Sequence, residues 1–172
     1  MALPTTISKS ESAHIASTWE RKLSRRLPLF GHRNWIVVAD AAYPVQSNPG
    51  IETIVTGADH LHTVNRVYDQ IAASAHVRSN IYLDHELDYV SESDAPGVGA
   101  YRQQLQVTFG DALVQKLPHE QIIAKLDQCA QLFRILILKT DLTIPYTSVF
   151  FELDCGYWSA EAEARLRKTM QK

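Results

Sequence analysis

The run Trp35-Ile36-Val37-Val38-Ala39 carries no charged side chain and is bracketed by Gly31-His32 before it and by Asp40 and Pro44 after it. It is too short for a buried helix. Rich in Val and Ile and without polar alternation, it reads as a strand buried on both faces. The rest of the chain alternates in the same way. Ile51–Val55 and residues 80–83, 113–117, 133–138 and 147–153 read as further strands. Helical spacing runs through Ile15, Trp19, Leu23 and Leu27, stopped by Pro28, with Ser8 and Glu11 at capping-box spacing. It returns in Leu61, Val64, Val67, Tyr68 and Ile71 behind Asp59 as N-cap, over residues 101–109, and over 119–131 with Ile122, Ile123, Leu126 and Ala130 on one face. Residues 84–98 read as a polar surface connection. This alternation predicts a single-domain α/β fold, a three-layer-type sheet covered by helices. Its expected parts are a flexible lead at 1–10, the α/β domain at 11–158 and a helical extension at 159–172. The extension opens on Ser159 with an acidic first turn and ends basic, which favours a helix. Leu166 and Met170 are its large apolar residues, so it either packs on a partner subunit or frays.

Charge and composition narrow the function. A net charge of −2 and the absence of a long Lys/Arg run argue against nucleic acid as the main partner, and the cluster Arg21-Lys22 with Arg25-Arg26 reads as a solvated helix face. No apolar run approaches the ~20 residues that span a bilayer. Residues 1–6 lack a basic segment followed by an apolar one, so no secretory signal is expected. Cys129 and Cys155 have neither metal-ligand nor disulfide spacing and read as free thiols of a cytoplasmic protein. His60 and His62 fall two apart on a predicted helix and face away from each other, so no metal site is expected.

Polar groups at the ends of strands are the candidate chemistry, because strand ends and the loops after them are where α/β proteins place binding groups. His32 precedes the first strand and Asp40 ends it. An imidazole titrates near neutrality and can pass a proton either way. Asp40 is suited to orienting an imidazole or holding hydroxyl groups. Tyr146 and Ser148 sit two apart at the last strand, which strand period places on one face, where both can donate and accept hydrogen bonds. His119 opens a helix after Pro118. Each also fits an ordinary role: a turn histidine, a turn cap, satisfied strand hydroxyls, a helix-start residue. Gly97-Val98-Gly99 lacks the third glycine of a dinucleotide loop, and the chain has no G-x-S-x-G or phosphate-loop motif.

Together these segments resemble the D-ribose pyranase / L-fucose mutarotase family over residues 15–158. The resemblance rests on Gly31-His32, the apolar strand into Asp40-Ala41, Pro44, the tract from Asp40 to Ser47, His119-Glu120-Gln121, and Pro145-Tyr146-Thr147-Ser148 before an apolar strand and Gly156. Ser148 stands where asparagine is usual. The resemblance implies a carbohydrate isomerase that interconverts anomers or ring forms of a monosaccharide by acid/base ring opening, with no cofactor and no metal. It implies His32, Asp40, His119 and Tyr146 as catalytic residues and Ser148 and Tyr43 as substrate-binding ones. It further implies a homo-oligomer, often a decameric ring, with sites between subunits. A non-catalytic monosaccharide-binding or regulatory protein on the same fold is the alternative, favoured by Ser148 and the extended C-terminus.

Overall fold

The apolar run is a strand, β1 (Trp35–Ala39), and all five of its residues are buried. The computed structural model describes residues 9–171, with side chains from residue 18 to 171. The remaining strands are β2 (Ile51–Val55), β3 (Val77–Asp84), β4 (Val114–Leu117), β5 (Ile135–Lys139) and β6 (Val149–Cys155). The helices are α1 (Lys9–Arg26), α2 (His60–Ala72), α3 (Val98–Phe109), α4 (His119–Ala130) and α5 (Ala160–Met170). Among the described residues the six strands form one sheet in the order β2-β5-β1-β6-β3-β4. β6 is antiparallel to both of its neighbours, whereas the pairs β1/β5, β2/β5 and β3/β4 are parallel.

Side chains of β1 alternate between two cores. Ile36 and Val38 pack with Trp19 and Leu23 of α1, Val64, Val67 and Ile71 of α2, and Tyr101, Leu105 and Phe109 of α3. Trp35, Val37 and Ala39 point the other way, onto Ile122, Leu126 and Ala130 of α4. Three helices therefore cover one face and a single helix the other, the three-layer α/β arrangement read from the sequence. Asp59 caps α2 by accepting from the His62 N–H at 2.8 Å, and Ser159 caps α5 by accepting from the Ala162 N–H at 3.1 Å. No residue of α5 is buried. Arg26 at the end of α1 pairs with Glu52, and Arg66 of α2 pairs with Glu20 of α1, each at 2.9 Å. The capping pair expected at Ser8 and Glu11, and the side chain of Ile15, lie outside the described residues.

Two expectations need correction. The segment 84–98 is more than a polar surface connection. Asp84 belongs to β3 and is buried, and Leu87, Ala95 and Val98 are buried as well. The segment's charged neighbours bind its own backbone. The Arg102 guanidinium donates to the carbonyls of Leu87 and Val90, and the Glu92 carboxylate accepts the N–H groups of Gly97 and Gly99. Gly97 takes φ +94°, a left-handed conformation that favours glycine. Secondly, β6 begins at Val149, so Tyr146 and Ser148 precede the strand and do not share a pleated face. Tyr146 instead takes φ +58° in the preceding turn.

Candidate functional site

Register gathers the polar strand ends on one edge of the sheet. Val38 and Leu83 both lie opposite Val149, Ala39 lies opposite Lys139, and Asp84 lies opposite Leu117. The residues that follow or precede these positions (Asp40, Asp84, His119, Thr140 and Ser148) therefore share that edge. Asp40 accepts the Ala42 N–H on Oδ1 at 2.8 Å and the Ser148 hydroxyl on Oδ2 at 3.2 Å. The backbone N–H of His119 donates to both oxygens of Glu86 at 3.0 Å. Its ring meets Tyr146 edge-on, with centroids 5.8 Å apart and planes at 79°.

Asp84 was not singled out in the sequence, yet it is the most unusual group here. It is 1% exposed, and among the described residues neither of its oxygens has a hydrogen-bond partner. Nδ1 of His119 stands 3.1 Å from its Oδ1, within ion-pairing reach but off the line a hydrogen bond needs. Burial pushes the Asp84 carboxyl up to about 6; the His119 ring pulls it down, and Glu86 and Asp40 push it further up. A carboxyl poised near neutrality against an imidazole is suited to giving and taking a proton. Its signal in the sequence was the one that marked Asp40: an acid closing the apolar run Ile81-Tyr82-Leu83.

Beneath the site lies a layer that fixes the turn carrying Tyr146. The Thr147 carbonyl accepts from the Tyr101 hydroxyl at 2.7 Å and from His60 Nε2 at 3.0 Å. Burial dominates at His60 and lowers it to about 4 against the opposing pull of the Thr147 carbonyl and of Asp40, Asp59 and Asp141. The ring is therefore neutral, and its one proton is on Nε2. Nδ1 then lies 2.8 Å from the Thr140 hydroxyl, whose single proton it shares with the Ala39 carbonyl at 3.0 Å. These bonds hold a tyrosine in a left-handed conformation that costs about 1–2 kcal/mol. His60 is thus a structural histidine, and its neighbour His62 turns away to Glu20 at 3.5 Å.

Two sequence candidates remain, Tyr43 on the Asp40 turn and His32, and Tyr43 donates its backbone N–H to the Asp40 carbonyl at 3.3 Å. Tyr43 is buried beside the α4 core, and its hydroxyl lacks a partner among the described residues. Burial, with Asp127, Asp84 and Asp40, raises its phenol far above the ordinary range, so it stays protonated. His32 precedes β1, at the opposite edge from Asp40. The five residues of β1, at ~3.3 Å each, put roughly 16 Å between the two edges. The carboxylate that meets His32 is Asp154, 2.8 Å from Nδ1, and within the chain Asp40 does not orient that ring. One edge therefore joins Asp40, Ser148, His119 and Tyr146 around Asp84, and His32 stands apart. Among the described residues no cluster of His, Cys, Asp and Glu is placed to hold a metal ion, and no helix is long and apolar enough to cross a membrane.

A single mixed sheet of one antiparallel and five mutually parallel-running strands, with its polar groups on one edge, defines the class. The family model described as the RbsD / FucU transport protein family matches residues 14–153, and the chain belongs to that family. Solved structures share the fold. RbsD of Bacillus subtilis in complex with D-ribose superposes with a TM-score of 0.56 at 16% identity, covering 90% of this chain and 98% of its own. The fucose mutarotase of Streptococcus pneumoniae in complex with L-fucose gives 0.54 at 21%, covering 82% and 96%. FucU of Bifidobacterium longum gives 0.53 at 15%, covering 77% and 92%. Comparison with curated protein sequences found no significant match.

Proposed function

We propose that this protein is a cytoplasmic carbohydrate isomerase of the mutarotase or pyranase type, acting on a free monosaccharide. The observation that carries the reading is the buried Asp84 against His119, whose ring meets Tyr146, at the same strand ends as the Asp40–Ser148 pair. Ring opening of a cyclic sugar needs one group to take the proton of the anomeric hydroxyl and another to give a proton to the ring oxygen. The C–O bond to the ring oxygen breaks as the anomeric oxygen becomes a carbonyl, and reclosure on either face returns both protons. Asp84 and His119 form the proton-exchanging pair, Tyr146 is the donor that faces solvent, and Asp40 with Ser148 binds sugar hydroxyls. His32 is a further acid/base group, which reaches this edge only from a second copy of the chain, so the reading includes a homo-oligomer with shared sites, of the ring type. The sugars bound by the Bacillus and Streptococcus proteins support the substrate class.

One observation favours a binding protein without turnover: the Ser148 hydroxyl is donated to Asp40 and is short for reaching a ligand. Exchange NMR on a panel of pentoses and hexoses separates the two readings. Accelerated anomeric or ring-form exchange for one sugar, reduced about 10²-fold or more in Asp84→Asn, is the expected result. Line broadening that reports binding, with no acceleration for any sugar, would replace the isomerase by the binding protein.

A further inference from the structure

At the edge opposite the Asp84 site, His32 lines a cleft of about 490 Å³ together with Arg78, Asp154, Trp158 and Glu163. The cleft is built around a fixed carboxylate. Asp154 accepts Arg78 on Oδ2, from Nη2 at 2.7 Å and Nε at 3.1 Å, and accepts the Cys155 N–H on Oδ1 at 2.8 Å. The same Oδ1 lies 2.8 Å from His32 Nδ1. Opposite, Trp158 is held by its indole N–H on Glu163 at 2.8 Å, and Glu163 is held in turn by Arg167. The His32 side chain is 57% exposed and that of Asp154 26%, so the imidazole faces solvent while its anchor is set back.

We propose that Asp154 is the positioning residue of His32: it keeps the proton of the ring's Nδ1 and turns Nε2 to the sugar. This rests on the isomerase reading of His32. An ionised carboxylate can only accept, so the proton between it and the ring belongs to Nδ1. Asp154 stays ionised: burial pushes its carboxyl up, but Arg78, the Cys155 N–H and His32 outweigh burial and hold it below its ordinary value. The charged or titratable groups around the ring are Asp154 on β6, Arg78 on β3, and Cys155, Tyr157 and Glu163 along the cleft. Of these, Asp154 is the one in contact with the imidazole. Two donors from Arg78 also make the anchor rigid, which a single hydrogen bond would not.

Asp154→Asn tests this with little change of shape. Arg78 claims the amide oxygen, because its two N–H groups need an acceptor; the amide NH2 then faces His32, and the Cys155 N–H gives up its acceptor. Nδ1 must become the acceptor, and the proton moves to Nε2, the wrong tautomer for a base, as in the aspartate-to-asparagine exchange of serine-protease triads. The 15N shifts of the His32 ring are the first readout. The expected result is Nδ1–H in the wild type, Nε2–H in Asp154→Asn and a mixture in Asp154→Ala. In exchange NMR with the accelerated sugar, kcat falls roughly 10- to 10²-fold in Asp154→Asn with KM little changed. An unchanged tautomer in Asp154→Asn, or full kcat with the swapped tautomer, overturns the proposal. If the wild type accelerates no sugar, the isomerase reading falls, and the ring's nitrogen shifts still decide whether Asp154 sets the tautomer.

Discussion

Asp84 carries a cost that a purely structural residue would not. Its folded value of about 6 lies above the ordinary 3.8, so the folded state disfavours the charged form. The stability is fully present below 3.8 and is lost as pH rises through 6, a loss on the order of 3 kcal/mol. Asp84→Asn should therefore be more stable than the wild type at neutral pH, by about 1–3 kcal/mol, since the amide still lacks partners. It should also lose the proposed isomerase activity. His60 has the opposite sign. Lowered from 6.5 to about 4, it contributes stability above 6.5 that is lost as pH falls towards 4. The two nearly cancel in the wild type. In Asp84→Asn the opposing contribution is gone, so its urea midpoint should fall more steeply between pH 6.5 and 4 than that of the wild type. Equal slopes would mean that Asp84 is not held near 6. Residue by residue, the sequence singles out the polar groups that the fold gathers on one edge where they flank a strand or open a helix, as at Asp40, His119 and Tyr146, but it does not say which of them meet. At Asp84 the acidic and glycine residues that crowd the segment after it mask the strand end, although it closes an apolar run as Asp40 does.

Elements were more legible than residues, because periodicity reports which faces are buried. All six strands and the described helices fall close to where spacing places them, and the N-caps Asp59 and Ser159 do what their side chains allow. What local pattern could not say is which strands are neighbours. β6 inserts antiparallel between β1 and β3, both far away in the chain, and this insertion brings Ser148 to Asp40 and the Thr147 carbonyl to His60. The layers also differ in how much they hold. Among the described residues α4 is the one helix on the second face of the sheet, and Leu126 within it is fully buried. Leu126→Ala should cost about 2–5 kcal/mol, read as a lower denaturant midpoint at unchanged slope. Leu166→Ala in α5, at a site 43% exposed, should stay within about 0.5 kcal/mol. A large loss at Leu166 would show that the extension is buried against something in solution, a second copy being the first candidate.

At the scale of the molecule, the sheet separates two polar clusters. Asp84, His119, Tyr146 and Asp40 occupy one edge and His32, with Asp154 and Arg78, the other, with the length of β1 between them. No rotation of side chains closes a gap of roughly 16 Å. If both clusters serve one reaction, the chain must meet a copy of itself head to tail, a contact that closes into a ring when its rotation permits. This makes a prediction that a monomeric site cannot satisfy. His32→Ala and Asp84→Asn should each be inactive alone, yet mixed oligomers of the two should recover activity. With random assembly of equal amounts, about a quarter of the shared sites draw a native His32 from one subunit and a native Asp84 from the next. Co-expression followed by exchange NMR reads the recovered fraction, and sedimentation of each variant checks that both still assemble. Recovery near that fraction places the two edges in one site. Assembly without recovery would assign His32 and its cleft to a separate task, and leave Asp84, His119 and Tyr146 to carry the proton transfers within a single subunit.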